Sequence, residues 1–171
     1  VQPHAEMFAP EEKMAKYRGK FLPERSYEGT DSGPNYRKFA YGSQPEAHAA
    51  FAAMVEVIDD DVGELVATLK ELGIANNTLI IFTSDNGPHQ EGGHDPAYFN
   101  SNGSQRGFKR DLYEGGIHVP MIATWPGHIS AGTQTDHLSA FWDVLPTVAE
   151  LAGQPVPETI DGIHVYASTL R

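Results

Sequence analysis

An acid and an amide stand side by side at Asp85-Asn86, directly after the apolar, β-branched run Thr78-Leu79-Ile80-Ile81-Phe82-Thr83-Ser84. Adjacent hard oxygen donors suit Ca²⁺ or Mg²⁺ better than a soft metal. Such a run reads as a strand buried on both faces. The point where it hands over to a loop is the carboxyl edge at which α/β proteins build their sites. Asp-Asn-Gly-Pro also reads as a plain turn, because these residues dominate turns for conformational reasons alone. Further on, Lys109 and Arg110 lie in Gly107-Phe108-Lys109-Arg110-Asp111-Leu112-Tyr113-Glu114-Gly115-Gly116. Two successive glycines let backbone approach a ligand closely, and a nearby Lys neutralises an oxyanion. An exposed turn is the alternative there. Of the histidines, His4 is either solvated or part of a site, and His89 and His94 sit in a polar loop without the spacing of a helical zinc pair.

The elements around these residues follow from periodicity. Ser43-Gln44-Pro45-Glu46 has the form of a capping box, and Phe51, Met54, Val55, Ile58, Val62, Leu65, Leu69 and Leu72 recur at helical spacing up to a stop at Gly73. This helix leads into the strand that ends at Asp85, which is half of a βαβ unit. Asp59-Asp60-Asp61 lies inside it, and three consecutive helical residues point too far apart to converge on one ion, so they read as a solvated face. Residues 1–42 form a loop-rich excursion with one short helix at Pro10 to Tyr17, and residues 43–153 carry the helix–strand core. After the loop from Gly87 to Gly107, the spacing predicts a strand at Val119 to Trp125 and another at His137 to Phe141. A helix capped by Asp143 then carries Val144, Leu145, Val148 and Leu151 inward and stops at Gly153. Residues 154–171 read as a surface tail.

Composition narrows the class. A length of 171 residues with 40% hydrophobic content suits one domain with a real core. The net charge of −11, with no basic stripe, argues against nucleic acid. No apolar run approaches the ~20 residues of a membrane span. The absence of cysteine removes disulfides, thiolate metal sites and cysteine nucleophiles, and leaves the compartment undetermined. Val1-Gln2-Pro3-His4 opens without Met, as a fragment or a processed product would.

The ordered set of a capped helix ending in Leu-Gly, TLIIFTSDNG, GFKRDLYEGGIHVP and DVLPTVAELAG resembles the formylglycine-dependent sulfatases of the alkaline-phosphatase-like superfamily, from about His4 to Ile163. This resemblance implies a three-layer α/β/α sandwich, incomplete in this chain, that hydrolyses sulfate esters with one divalent cation, usually Ca²⁺. It assigns Asp85 and Asn86 as cation ligands, Lys109 as the group that holds a sulfate oxygen and assists the leaving group, His4 as the histidine at the bridging oxygen, and His94 as a pocket residue. The implied substrate is a sulfated small molecule or glycan, and sulfatases of this kind are commonly exported.

Two departures accompany the match. The family's amino-terminal Asp-Asp pair has no counterpart, since Asp60-Asp61-Val62-Gly63 lies within the long helix. The Cys- or Ser-x-Pro-Ser-Arg motif from which formylglycine is made is missing too, and Ser32-Gly33-Pro34-Asn35-Tyr36-Arg37 does not supply it. The expectation is a chain with part of an active site, inactive alone, whose uncovered sheet edges favour self-association. The rival readings are a phosphoester or phosphonate hydrolase of the same superfamily and a non-catalytic binding module.

Overall fold

A computed structural model describes residues 3–34, 36 and 41–163. Val1, Gln2, Asn35, residues 37–40 and residues 164–171 therefore lie outside the described residues, with parts of the amino-terminal, Ser32–Arg37 and tail readings. Two compact units are present, one of residues 1–68 and 83–120, the other of residues 69–82 and 121–171.

The first unit is organised on α2 (Ala47–Glu71), with α1 (Glu11–Tyr17) packed against it. Met7 and Met14 cover Ala49, Ala50, Ala53 and Met54, and small alanines let the neighbouring backbone come close. Burial along α2 stops at Met54. Val55, Val62, Leu65 and Leu72 are exposed, so the predicted stripe is covered only in its first turns, where Met7 and Met14 reach. The acidic run behaves as a solvated face: Asp60 pairs with Lys13, which also reaches Glu56 at 2.9 Å.

The start of α2 corrects the capping-box expectation. Ser43 lies outside the helix, its hydroxyl donating to Asp31 Oδ2 at 2.7 Å and accepting the Gly29 N–H at 2.9 Å. The first helical N–H groups need acceptors from elsewhere. Glu24 supplies them, accepting the His48 N–H at 2.7 Å and the Ala49 N–H at 3.3 Å, and the Arg25 carbonyl accepts the Ala47 N–H at 2.9 Å. A carboxylate at the positive helix end does the work assigned to a hydroxyl.

Of the strands, β1 (Ile80–Thr83) and β2 (Met121–Thr124) pair in a two-stranded sheet, the only sheet among the described residues. Ile81, Phe82, Met121 and Ile122 are exposed, so β1 is not buried on both faces as its composition suggests. Apolar content marks a strand that can be covered; it does not supply the cover. A short helix, α3 (Glu114–Ile117), precedes β2 and was not predicted.

In the second unit, His137 to Ala140 forms no strand, and a 3₁₀ turn at Phe141–Asp143 leads into α4 (Val144–Leu151). The residues buried on α4 are Pro146 and Thr147, whereas Val144, Leu145 and Val148 are exposed, so the inward stripe predicted from apolar spacing is replaced by another face. Asp143 is buried but makes no cap to α4: its carboxylate accepts the Ala140 N–H at 2.8 Å and the Ile163 N–H at 2.9 Å. It ties the turn to the tail, in which most of residues 154–163 are exposed.

Candidate active site

The turn after β1 is held by its own backbone and by the double glycine. Ser84 Oγ donates to the Asn86 carbonyl at 2.8 Å, and the Gly87 N–H donates to the Gly116 carbonyl at 2.9 Å. A Cβ on Gly87 would stand 1.9 Å from the Gly115 carbonyl oxygen, so only glycine admits this approach. Gly115 and Gly116 are thus spent on close packing against chain, with Gly115 pressed in turn on the Gly107 carbonyl. The Lys109 N–H donates to the Pro88 carbonyl at 2.9 Å, which ties the cationic turn to the Asp-Asn turn.

A cleft of about 910 Å³ opens beside these turns, its wall including His4, Phe51, Asp85, Asn86, His94 and His118. Asp85 is exposed on it. The Asn86 amide nitrogen donates to the Gly87 carbonyl at 3.0 Å, which leaves the amide oxygen as the free end. These two oxygens are hard donors of the kind Ca²⁺ takes, but no cluster of three or more His, Cys, Asp or Glu side chains converges among the described residues. Two such donors fall short of the roughly six to eight oxygens that Ca²⁺ takes.

Lys109 and His4 meet although 105 residues separate them, with Nζ 2.8 Å from Nε2. An ammonium only donates, so Nε2 is the acceptor, and the remaining ring proton sits on Nδ1, which donates to the Ala5 carbonyl at 2.7 Å. In this tautomer the imidazole faces Lys109 as a base, and the mobile proton belongs to Lys109. The lysine also reaches Glu91 Oε2 at 3.3 Å, and the same oxygen lies 3.3 Å from His4 Nε2. Arg110, one residue on, pairs with Glu91 Oε1 at 2.5 Å.

Glu91 is the residue that sequence reasoning missed. The Lys109, Arg110 and His4 side chains around its carboxylate lie 18 to 87 positions away in the chain, beyond any local pattern, and the one available signal is a single acid before the double glycine Gly92-Gly93. Burial pushes its carboxyl up, but the Arg110 and Lys109 cations outweigh this and hold it below the ordinary carboxylate value. Arg110, for which an exposed turn is the alternative reading, is exposed and also pairs with Glu91.

His94 lines the cleft as a buried ring. It is 1% exposed and stacks on Phe51 with centroids 3.9 Å apart. Its Nδ1 has no hydrogen-bond partner among the described residues. Burial, reinforced by neighbouring His89, pushes its pKa down to about 3. His89 is shifted in the same direction, by burial and then by His4.

Those shifts set a pH dependence. Unfolded, His94 takes up a proton below its ordinary value of 6.5, whereas in the folded chain it stays neutral to about 3. The unfolded state therefore binds the extra proton across that window, and stability falls as pH drops through it, by up to ~1.4 kcal/mol per pH unit. His94→Phe, which keeps an aromatic face against Phe51, should flatten the fall. Urea unfolding at pH 7.5 and pH 5 checks this, and an unchanged pH slope in the variant would contradict it.

Comparison with known proteins places the chain in a family. A family profile described as Sulfatase matches residues 1–154. Human steryl-sulfatase is 44% identical over 130 residues, covering 74% of this chain and 22% of that protein. The crystal structure of Ps i-CgsB in complex with k-i-k-neocarrahexaose superposes with a TM-score of 0.71 at 29% identity, over 98% of this chain and 31% of that one. A structure in complex with its substrate D-Glucosamine-2-N, 6-O-disulfate matches with a TM-score of 0.59 at 28% identity, over 73% of this chain and 23% of that one. The chain thus spans about a fifth to a third of these relatives' length. With its mixed helix and strand, it is a partial α/β domain of the alkaline-phosphatase-like fold, and it belongs to the sulfatase family.

Proposed function

We propose that this chain supplies the cation-binding edge and the leaving-group side of a sulfuric ester hydrolase site. The observation that carries the reading is the 2.8 Å contact of Lys109 with His4, beside the cleft that Asp85 and Asn86 line. Asp85 and Asn86 would hold a Ca²⁺ or Mg²⁺ ion, whose positive charge polarises the sulfate oxygens when bound. Lys109 holds an oxyanion and carries the proton that the departing alcohol oxygen needs, while His4 takes the other side of that proton's hydrogen bond. His94 stays neutral in the cleft wall, where its buried ring backs Phe51. For substrate class, the family resemblance and the neighbour bound to D-Glucosamine-2-N, 6-O-disulfate support a sulfated sugar, and the steryl-sulfatase relative supports a sterol-like apolar alcohol. The shared element is the sulfate ester.

The 171 residues contain no Cys- or Ser-x-Pro-Ser-Arg motif and no cysteine, so a formylglycine nucleophile is not made within them. Turnover then requires a longer enzyme that includes this chain, and the exposed faces of β1 and β2 favour association of the chain by itself. Two measurements test the reading. Calorimetric titration with Ca²⁺ should give weak binding to the chain that Asp85→Ala removes, and 4-nitrophenyl sulfate should be hydrolysed no faster than in buffer. Calcium binding that is absent, or indifferent to Asp85, would sink the cation assignment. Asp85-dependent hydrolysis by the purified chain would sink the claim of inactivity.

A further inference from the structure

The proposed reaction uses Lys109, His4 and a cation, yet it gives no task to the acid standing among them. A carboxylate beside an anion-binding lysine opposes the binding of sulfate, so its presence calls for a physical reason. Its side chain is 12% exposed and both oxygens are engaged by cations: Oε1 by Arg110 at 2.5 Å and Oε2 by Lys109 at 3.3 Å, the same ammonium bridging Oε2 to the unprotonated His4 Nε2, which lies 3.3 Å from it. Two cations on one carboxylate leave a single positive charge for the substrate.

The backbone around Glu91 is fixed from several sides. Its N–H donates to His89 Nδ1 at 3.1 Å, and the His89 Nε2–H donates to the Pro3 carbonyl at 3.2 Å, which anchors the residue before His4. On the other side, a Cβ on Gly92 would stand 2.8 Å from Ala5 Cβ, so the loop is pressed against the residue after His4. The residues on both sides of His4 are therefore held by the segment that carries Glu91, and its ring stacks on that of His89 with centroids 5.2 Å apart. Arg110 sits at φ +84°, in the left-handed region that non-glycine residues seldom occupy. With it, two consecutive cationic side chains reach one carboxylate.

Resting on the sulfatase reading above, we infer that Glu91 is the positioning residue of this site: with Oε1 anchored by Arg110, its Oε2 sets where the Lys109 ammonium and the His4 ring stand relative to each other. Lys109 is a flexible four-carbon chain carrying a point charge, and the carboxylate removes its freedom before substrate arrives. A carboxylate held ionised by its two cations keeps that role.

The test reads the contact, not turnover. In the 171-residue chain, the nuclear Overhauser cross-peak between the Lys109 ε-methylene and the His4 ring should vanish in Glu91→Gln and persist in Glu91→Asp, with the amide spectrum around Met54 unchanged. Arg110→Gln gives a second route should Glu91→Gln fail to fold, since Arg110 is 72% exposed and its loss spares the core; it should weaken the same cross-peak. A longer enzyme carrying Glu91→Gln should lose kcat on the order of 100-fold with KM nearly unchanged, the signature of misplaced groups in the transition state. A wild-type cross-peak in both Glu91→Gln and Arg110→Gln would overturn the proposal. Failure of any enzyme containing this chain to hydrolyse a sulfate ester would overturn the function and leave this contact test standing.

Discussion

Lys109→Ala should lower kcat for sulfate-ester hydrolysis on the order of 100- to 1000-fold in an enzyme containing these residues, the loss seen when one preorganised donor to a developing negative charge is removed. Lys109 stands at the meeting point of the site: its main chain is hydrogen-bonded to Pro88, one turn from Asn86, and its ammonium touches His4 and Glu91. Truncation removes the proton carrier and also leaves Glu91 facing the cleft with Arg110 as its remaining cation. Negative charge grows on the ester oxygen only as the bond to sulfur breaks, so the loss falls mainly on kcat. A series of aryl sulfates separates this from a general weakening. The variant should fall most on esters with poor leaving groups, because those depend most on the proton that Lys109 delivers. Lys109→Arg should recover little, since a planar guanidinium that stays protonated cannot pass a proton across the same 2.8 Å to His4. A decrease of less than about threefold on every ester would remove Lys109 from the chemistry.

What could be read from the chain alone divides by the range of the physics involved. The period of α2 and the β-branched run of β1 are local properties, and both elements form, with ends shifted by a few residues. Which face they bury is not local. Val55, Val62 and Leu65 have the spacing of a core stripe and are exposed, because Met7 and Met14 cover only the alanine-rich start of the helix. The capping box failed for the same reason: Ser43 found Asp31 and Gly29, and Glu24, far back in the chain, took the helix end. His137 to Phe141 has strand composition but pairs with nothing among the described residues. In the candidate site, Asp85 and Asn86 were picked out by the logic of a strand end, Lys109 by its place before a double glycine, and His4 by family resemblance. Glu91 had neither signal. A carboxylate whose partners are a lysine and an arginine downstream and a histidine near the amino terminus has no periodicity to betray it.

Gly87→Ala should be among the most damaging single-methyl changes to this site. The added Cβ would lie 1.9 Å from the Gly115 carbonyl oxygen and 2.9 Å from its carbon, distances that no rotamer change relieves because both atoms are main chain. The two backbones must separate by about an ångström, and with that the Gly87 N–H loses the Gly116 carbonyl now at 2.9 Å. Overpacking of this kind costs ~1–3 kcal/mol, and the buried N–H left without a partner adds ~1–3 kcal/mol more. The larger consequence is chemical. Asp85 and Asn86 are the two residues before the displaced one, held by the Ser84 hydroxyl on the Asn86 carbonyl, so their oxygens move with the turn and calcium binding should fall below detection. Gly63→Ala is the matched control: no atom lies within 4 Å of its would-be Cβ, it sits within α2, and the substitution should stabilise by ~0.5–1 kcal/mol. Urea unfolding of both variants at pH 7, alongside calcium titration, separates a local clash from the mere addition of a methyl group. A Gly87→Ala chain that unfolds within about 0.5 kcal/mol of wild type and still binds calcium would mean that the Asp-Asn turn does not depend on the double glycine packed behind it.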